Sequence, residues 1–228
     1  MLKERLEAVE ERIARAAARA GRRREDVTLL AVTKKFPAAT IAAAAGLGIR
    51  DFGENYVQEF EGKREALAGL TGVRFHLIGH LQANKARKAV ELFDVVQTVD
   101  SARLADRLNQ AASERLGEAA STPLDVMIEV KLSPEEAKAG VSPEDLPQLI
   151  EAVHGCADLR LRGLMTMPPW SDDAEPSRPY FRRLRELAAK HALPGLSMGM
   201  SHDFEVAIEE GATLIRVGTA LFGPRRRE

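Results

Sequence analysis

With a single cysteine, Cys156, in 228 residues, the chain can carry neither an internal disulfide framework nor a cysteine-built zinc site, because each needs several thiols. That usage fits a reducing compartment. Neither sign of charge is in excess: 33 Lys and Arg stand against 34 Asp and Glu, a formal net charge of −1. A dedicated nucleic-acid binder or a protein of anionic membranes normally shows a basic surplus gathered on one face, so neither partner is expected. Long apolar runs are missing too. The longest, Ile41 to Ile49, is too short to span a bilayer and contains Gly46 and Gly48. The first twenty residues carry Glu4, Glu7, Glu10 and Glu11, which suits neither a secretory signal nor an acid-poor transit peptide. A cytoplasmic, soluble protein is the expectation.

What is present is ordinary globular composition, 45% hydrophobic and 29% charged, enough for a large core. Leu2, Leu6, Val9 and Ile13, continued by Ala17 and Ala20, recur at helical spacing, and Gly21 follows as a C-terminal cap. An amphipathic N-terminal helix is predicted. Beyond it, short β-branched runs alternate with longer helical patterns. Strands are expected at Val27 to Thr33, Ile49 to Gly53, Arg74 to Ile78, Asp94 to Thr98, Leu124 to Val130, Leu159 to Thr166, Leu196 to Met200 and Thr213 to Val217. Helices are expected between them at Ala38 to Ala45, Gln58 to Leu67, Ala83 to Leu92, Ala102 to Leu116, Pro143 to His154, Arg178 to His191 and Asp203 to Glu210. Such alternation implies right-handed βαβ units and a parallel sheet covered on both faces. Eight strands in 228 residues point to a single α/β domain over residues 1–228, a (β/α)8 barrel with an additional N-terminal helix. The competing open sheet lacks its nucleotide fingerprint G-x-G-x-x-G after the first strand. After Gly218, which closes the last strand, only the ten residues Thr219 to Glu228 remain, so the N-terminal helix is expected to cover part of the wall where an eighth helix would lie. Met167 to Pro179 reads as a long loop of the kind that carries binding function.

Ligands of such barrels bind where the strands end at their C-terminal side. Lys34 closes the first strand in phase with Leu30 and Val32. An amine aligned with apolar side chains can be desolvated and so made available as a Schiff-base nucleophile, although Lys34 and Lys35 could equally open a solvated loop. At the other end of the chain, Ser201 reads as an N-cap for the helix holding Phe204, and Gly218-Thr219-Ala220 follows the eighth strand. Backbone amides, a close-approach glycine and a hydroxyl suit a phosphate dianion. Arg216, inside the apolar run LIRV, needs an anionic or acceptor partner. Asn55 and Tyr56 end the second strand, and His76 and His80 surround the end of the third. The two histidines are separated by Gly79 across a strand end, so zinc is discounted.

AVTKKFP, FGENYVQE, FHLIGHLQANK, GLMTM and LSMGMSHDFEVAIEEGATLIRVGTALFG, from Val27 to Gly223, together resemble the pyridoxal phosphate homeostasis protein family, related in fold to the N-terminal barrel of alanine racemase. The resemblance implies that Lys34 is the Schiff-base lysine, with Lys35 the second choice. It also implies that Ser201, Gly218 and Thr219 hold the phosphate, that Arg216 approaches the pyridine nitrogen or the phosphate, and that Asn55 and His76 line the ring pocket. Phe75 stands where a Trp is common in that family, and His202 where an acidic or other polar residue is common. Pyridoxal phosphate catalysis usually needs a carboxylate at the ring nitrogen. An arginine there, always charged and without acceptor capacity, leaves a weak electron sink. The only tyrosines, Tyr56 and Tyr180, match no racemase base. The implied function is therefore a monomeric protein that holds pyridoxal 5′-phosphate as a lysine Schiff base within vitamin B6 homeostasis, without strong catalysis, and hands it to pyridoxal phosphate-dependent apo-enzymes. A weak amino-acid racemase or an aldolase using the same lysine is the alternative, and a barrel used as a protein-interaction module is the third reading.

Overall fold

A computed structural model of the chain describes residues 1–118, 122–133 and 139–224. Eight strands, β1 (Thr28–Val32), β2 (Asp51–Glu54), β3 (Arg74–Leu77), β4 (Val95–Val99), β5 (Leu124–Glu129), β6 (Leu159–Met165), β7 (Gly195–Met200) and β8 (Leu214–Val217), close in chain order into a barrel. Every neighbouring pair is parallel, including β8 with β1, where Leu30 stands opposite Arg216. The helices are α1 (Leu2–Arg19), α2 (Ala38–Gly46), α3 (Val57–Arg64), α4 (Ala86–Leu92), α5 (Ala102–Glu118), α6 (Leu146–His154), α7 (Arg178–Lys190), α8 (Phe204–Glu209) and α9 (Thr219–Phe222). The expected barrel is thus the observed one.

Strands of a parallel barrel are buried on both faces and read as short continuous apolar runs. β4 is buried at all five positions, and so is every residue of β8. Their outward side chains join the main core between sheet and helices, while Leu30, Val32, Ile78 and Leu214 form a smaller cluster inside the barrel. Each fully buried Leu, Ile or Phe stabilises by about 1.5–3 kcal/mol before chain entropy is counted.

Closure of the wall explains the N-terminal helix. α1 buries Val9, Ile13, Ala16 and Ala17 and ends where Gly21, at φ +66°, takes the left-handed conformation that glycine adopts without steric cost. The Arg22 amide then returns to the Ala17 carbonyl at 2.9 Å. The helix lies against α8: Arg12 Nε donates to Glu205 Oε1 at 2.7 Å and its guanidinium sits 4.4 Å from the centre of the Phe204 ring. Arg19 pairs with both Glu205 and Glu209, at 3.0 and 2.7 Å. After β8 the described chain makes only the one-turn α9, so α1 occupies the place of an eighth long helix, as expected. The Arg22–Arg24 run that follows α1 is engaged at both ends: Arg24 pairs with Glu10, and Arg22 Nη1 donates to the Ile208 carbonyl at 3.0 Å. Arg225 to Arg227 lie outside the described residues. Among the described residues no helix is long and apolar enough to cross a membrane.

Candidate functional site

The C-terminal ends of β1, β2, β7 and β8 surround a cavity of about 380 Å3, lined by Lys34, Asn55, Ser201, Arg216, Gly218 and Thr219 together with Val32, Ile78, Met167, Trp170, Met200 and His202. Six of the seven residues singled out from the sequence therefore meet in one place. Among the described residues the lining carries the cations Lys34 and Arg216, with His202, and no carboxylate, so its electrostatics favour an anion. Its volume lies in the range of roughly 300–1,000 Å3 typical of small-molecule sites.

Lys34 is half-buried beside Val32, as its phase in β1 requires, whereas Lys35 turns outward and is exposed. A buried ionic cluster fixes this turn. Thr33 Oγ1 donates to Glu54 Oε1 at 2.7 Å, and Lys63 Nζ donates to Glu54 Oε1, Glu59 Oε1 and the Thr33 carbonyl at 3.0, 2.7 and 3.2 Å. Glu59 Oε1 also accepts the Lys35 amide at 2.5 Å. Lys35 has φ +63°, a conformation that costs a non-glycine residue energy and is kept here by these bonds. Glu54 is 0% exposed, and burial pushes its carboxyl above the usual range despite the neighbouring ammonium.

The phosphate-type corner differs from expectation in one respect. Ser201 does not cap the following helix. Asp203 precedes α8 and its Oδ1 accepts the Met200 amide at 2.6 Å, which leaves the Ser201 hydroxyl turned toward β8. There Ser201 Oγ accepts the amides of Gly218 and Ala220 at 3.2 and 3.3 Å. Two backbone N–H groups and the serine hydroxyl that accepts them thus sit together at the cavity edge, and amides and a hydroxyl in this arrangement suit an anion. Next to it His202 lies with its ring 6.2 Å from that of Trp170, which is 70% exposed at the rim. Asn55 Oδ1 is buried and has no hydrogen-bond partner among the described residues, an acceptor left for something in the cavity. Gly79 holds Asn55 in place by close backbone approach, since a Cβ there would stand 2.2 Å from the Asn55 carbonyl oxygen.

Arg216 is 3% exposed and is held at the cavity floor by neutral groups. Its Nη1 donates to Ser197 Oγ at 2.7 Å and its Nη2 to the Thr166 carbonyl at 2.9 Å. Burial lowers its pKa to about 10, so it remains a cation at neutral pH. Ser197 Oγ donates in turn to Gln97 Oε1 at 2.6 Å, the Gln97 amide lies 2.9 Å from His76 Nδ1, and His76 Nε2 lies 2.9 Å from Asp51 Oδ1. With the Gln97 carbonyl engaged by Ser197, its NH2 donates to Nδ1, and the Nε2–H donates to Asp51. His76, expected to line the ring pocket, is not among the lining residues. It is buried one strand behind, at the far end of a chain of hydrogen bonds that terminates on Arg216. His80 is separate again, with Nδ1 3.4 Å from Asp100 Oδ2.

Sequence reasoning passed over Glu54, Lys63, Gln97 and Ser197. Gln97 and Ser197 carried the same signal as Arg216, a polar side chain inside an apolar strand (VVQTV, GLSMGM) that must find a partner across the barrel. It also passed over Glu129, which ends β5. This carboxylate is 3% exposed and lines a second cavity of about 860 Å3 that shares Met167, Trp170 and Met200 with the first. Among the described residues its side chain has no hydrogen-bond partner. Burial pushes it up to about 7 despite the attraction of Arg216, and Asp100 raises it further.

Comparison with known proteins places these features in context. The sequence profile of the alanine racemase N-terminal domain family matches residues 5–226. A "Pyridoxal phosphate homeostasis protein" of Aquifex aeolicus is 44% identical over 229 residues, covering 98% of each chain. A protein of the same name from Pseudomonas aeruginosa is 47% identical over 216 residues, covering 94% of this chain and 91% of its own. The crystal structure of PipY from Synechococcus elongatus with PLP bound superimposes with a TM-score of 0.85 at 40% identity, covering 98% of this chain and all (100%) of that one. Alanine racemase of Clostridium difficile, at 16% identity and a TM-score of 0.72, shares the fold over 57% of its length.

Proposed function

This chain belongs to the pyridoxal phosphate homeostasis protein family, and on that premise we propose that it holds pyridoxal 5′-phosphate (PLP) as a Schiff base on Lys34 and serves intracellular vitamin B6 homeostasis. The observation that carries the reading is the convergence of Lys34, Arg216 and the Ser201–Gly218–Ala220 cluster in one cavity that has no lining carboxylate among the described residues. The orphaned Asn55 Oδ1 and the cavity's volume fit the group as well. When bound, PLP supplies an aldehyde that condenses reversibly with an amine and a phosphate dianion that anchors it.

The chain's own residues supply the rest. Lys34 offers the amine, and the Thr33–Glu54–Lys63 cluster sets the turn that points it inward. Ser201, Gly218 and Thr219 form the phosphate corner, with the Ala220 amide. Arg216 offers charge and donors but no acceptor, so it cannot sustain a protonated ring nitrogen, which disfavours strong turnover and suits storage. Asn55 gives a polar contact at the cavity wall. His76 acts at one remove, fixing Arg216 through Gln97 and Ser197. A reversible imine is exchangeable by another amine, which suits transfer of PLP from a monomeric carrier to dependent apo-enzymes in the cytoplasm.

Absorbance and intact mass before and after borohydride reduction test this reading. A yellow protein whose reduced form keeps a cofactor mass increment on Lys34, lost in Lys34→Ala, is the expected result. An increment on another residue, or none after incubation with PLP, overturns it. Trapping only in the presence of a sugar phosphate moves the reading to an aldolase.

A further inference from the structure

The 860 Å3 cavity beside the proposed PLP cavity shares Met167, Trp170 and Met200 with it and is built around a group that demands a partner. Glu129 is almost fully buried, lines this cavity, and has no hydrogen bond from any described residue. Asp100 acts on it as a second negative charge. A buried carboxylate without a donor is costly unless a cation or donor arrives to pair with it. The lining is mixed: Val130, Leu132, Met167 and Pro168 give it an apolar side, His80, Lys131 and Ser133 a polar one, and Trp170 at the rim presents an exposed aromatic surface. The apolar side and the indole beside a buried carboxylate match an ammonium carried on an alkyl stem.

We propose that this cavity is a primary-amine site, in which an alkylammonium pairs with Glu129 and is deprotonated there so that the neutral amine can displace Lys34 from PLP. The proposal rests on the PLP-binding reading above. In the exchange the ammonium gives a proton to the Glu129 carboxylate. The neutral amine forms a new carbon–nitrogen bond at the former aldehyde carbon, one of its remaining protons passes to Lys34 Nζ as the bond from that carbon to Nζ breaks, so that the imine carries one proton before and after, and Glu129 returns the first proton to the departing lysine. No oxidant or reductant is needed. Burial raises the pKa of Glu129 to about 7, which lets it accept and return a proton near neutral pH. The same chemistry is offered by a small alkylamine and by a lysine side chain of another protein.

The test has two independent readouts at pH 8. Calorimetric titration of n-butylamine into PLP-free protein should show saturable binding that Glu129→Gln abolishes, with sodium butyrate giving none. Stopped-flow decay of the imine absorbance in PLP-loaded protein should accelerate saturably with n-butylamine. In Glu129→Gln, which should load PLP to the same extent as the parent protein, that rate should fall about 100-fold, the scale of a lost proton-transfer group. A lysine-containing peptide tested alongside assigns the source: exchange with both points to protein lysines as acceptors, and exchange with butylamine alone to small amines. Butyrate binding as well as butylamine, or equal exchange rates in parent and variant, overturns the proposal. Trp170→Ala, at an exposed position, should weaken butylamine binding several-fold, and unchanged binding there removes the aromatic entrance from the argument. Absence of any imine band would defeat the PLP reading, while the PLP-free titration would still decide whether the cavity takes amines.

Discussion

Ionised Glu129 is a liability that a single atom exchange removes. Its carboxyl is pushed from 4.5 to about 7 in the folded chain, and each pH unit of such a displacement is worth about 1.4 kcal/mol. Above pH 7 the carboxylate therefore costs the folded state about 3 kcal/mol relative to a neutral group of the same shape. Below pH 4.5 the carboxyl is protonated whether the chain is folded or not, and the cost vanishes. Glu129→Gln never ionises, so PLP-free variant and parent should be equally stable at pH 4.5, diverge as pH rises through the interval from 4.5 to 7, and differ by a constant amount beyond it. For a chain of this size that gap corresponds to a melting temperature higher by about 6–12 °C in the variant at pH 8. Thermal melts by circular dichroism across pH 4.5–8.5, on protein stripped of PLP, measure it directly. A gap that is the same at every pH, or a variant less stable at pH 8, would refute the reasoning, because it would mean that Glu129 is paired after all.

Ser197→Ala removes the hydroxyl shared by Arg216 and Gln97. It leaves a buried charged donor and a buried acceptor unmatched, and should lower stability by about 3 kcal/mol in urea titrations; a loss below 1 kcal/mol would show that water replaces the hydroxyl. Lys63→Met strands the fully buried Glu54 carboxylate and should cost about 3–5 kcal/mol near neutral pH. Since burial already favours the protonated carboxyl, the cost should shrink as pH falls toward 5. A pH-independent loss would place the effect in packing instead.

Much of the architecture could be read from the chain because parallel strands buried on both faces leave a plain trace: TLLAV, VVQTV and LIRV are short, β-branched and bounded by helical patterns. Strand and helix limits shift by a residue or two where side-chain pattern gives way to hydrogen bonding, as at the end of α3, which tightens into a 3-10 turn at Glu65–Leu67. The four-residue α9 is too short to show a period. Site residues with an intrinsic anomaly were legible alone, such as Lys34 in phase with an inward face or Arg216 in an apolar run. Ser201 was placed at the right strand end for the wrong partner: Asp203, two residues on, takes the Met200 amide and frees the serine for β8. The Gln97–Ser197 bond spans 100 residues, and Glu129 acquires its meaning only from a cavity between strands. Such relationships arise when the barrel closes and have no local signature.

Trp170 is the only tryptophan in the chain, and it stands on the partition between the two cavities. The protein consequently carries its own optical gauge. Emission excited at the indole comes from one spot, undiluted by other tryptophans. A yellow ligand settling against the β1–β7–β8 corner should dim that emission by energy transfer, and a colourless one entering from the β5 side should shift its wavelength by displacing water. Two kinds of occupancy can then be told apart in a single unlabelled sample.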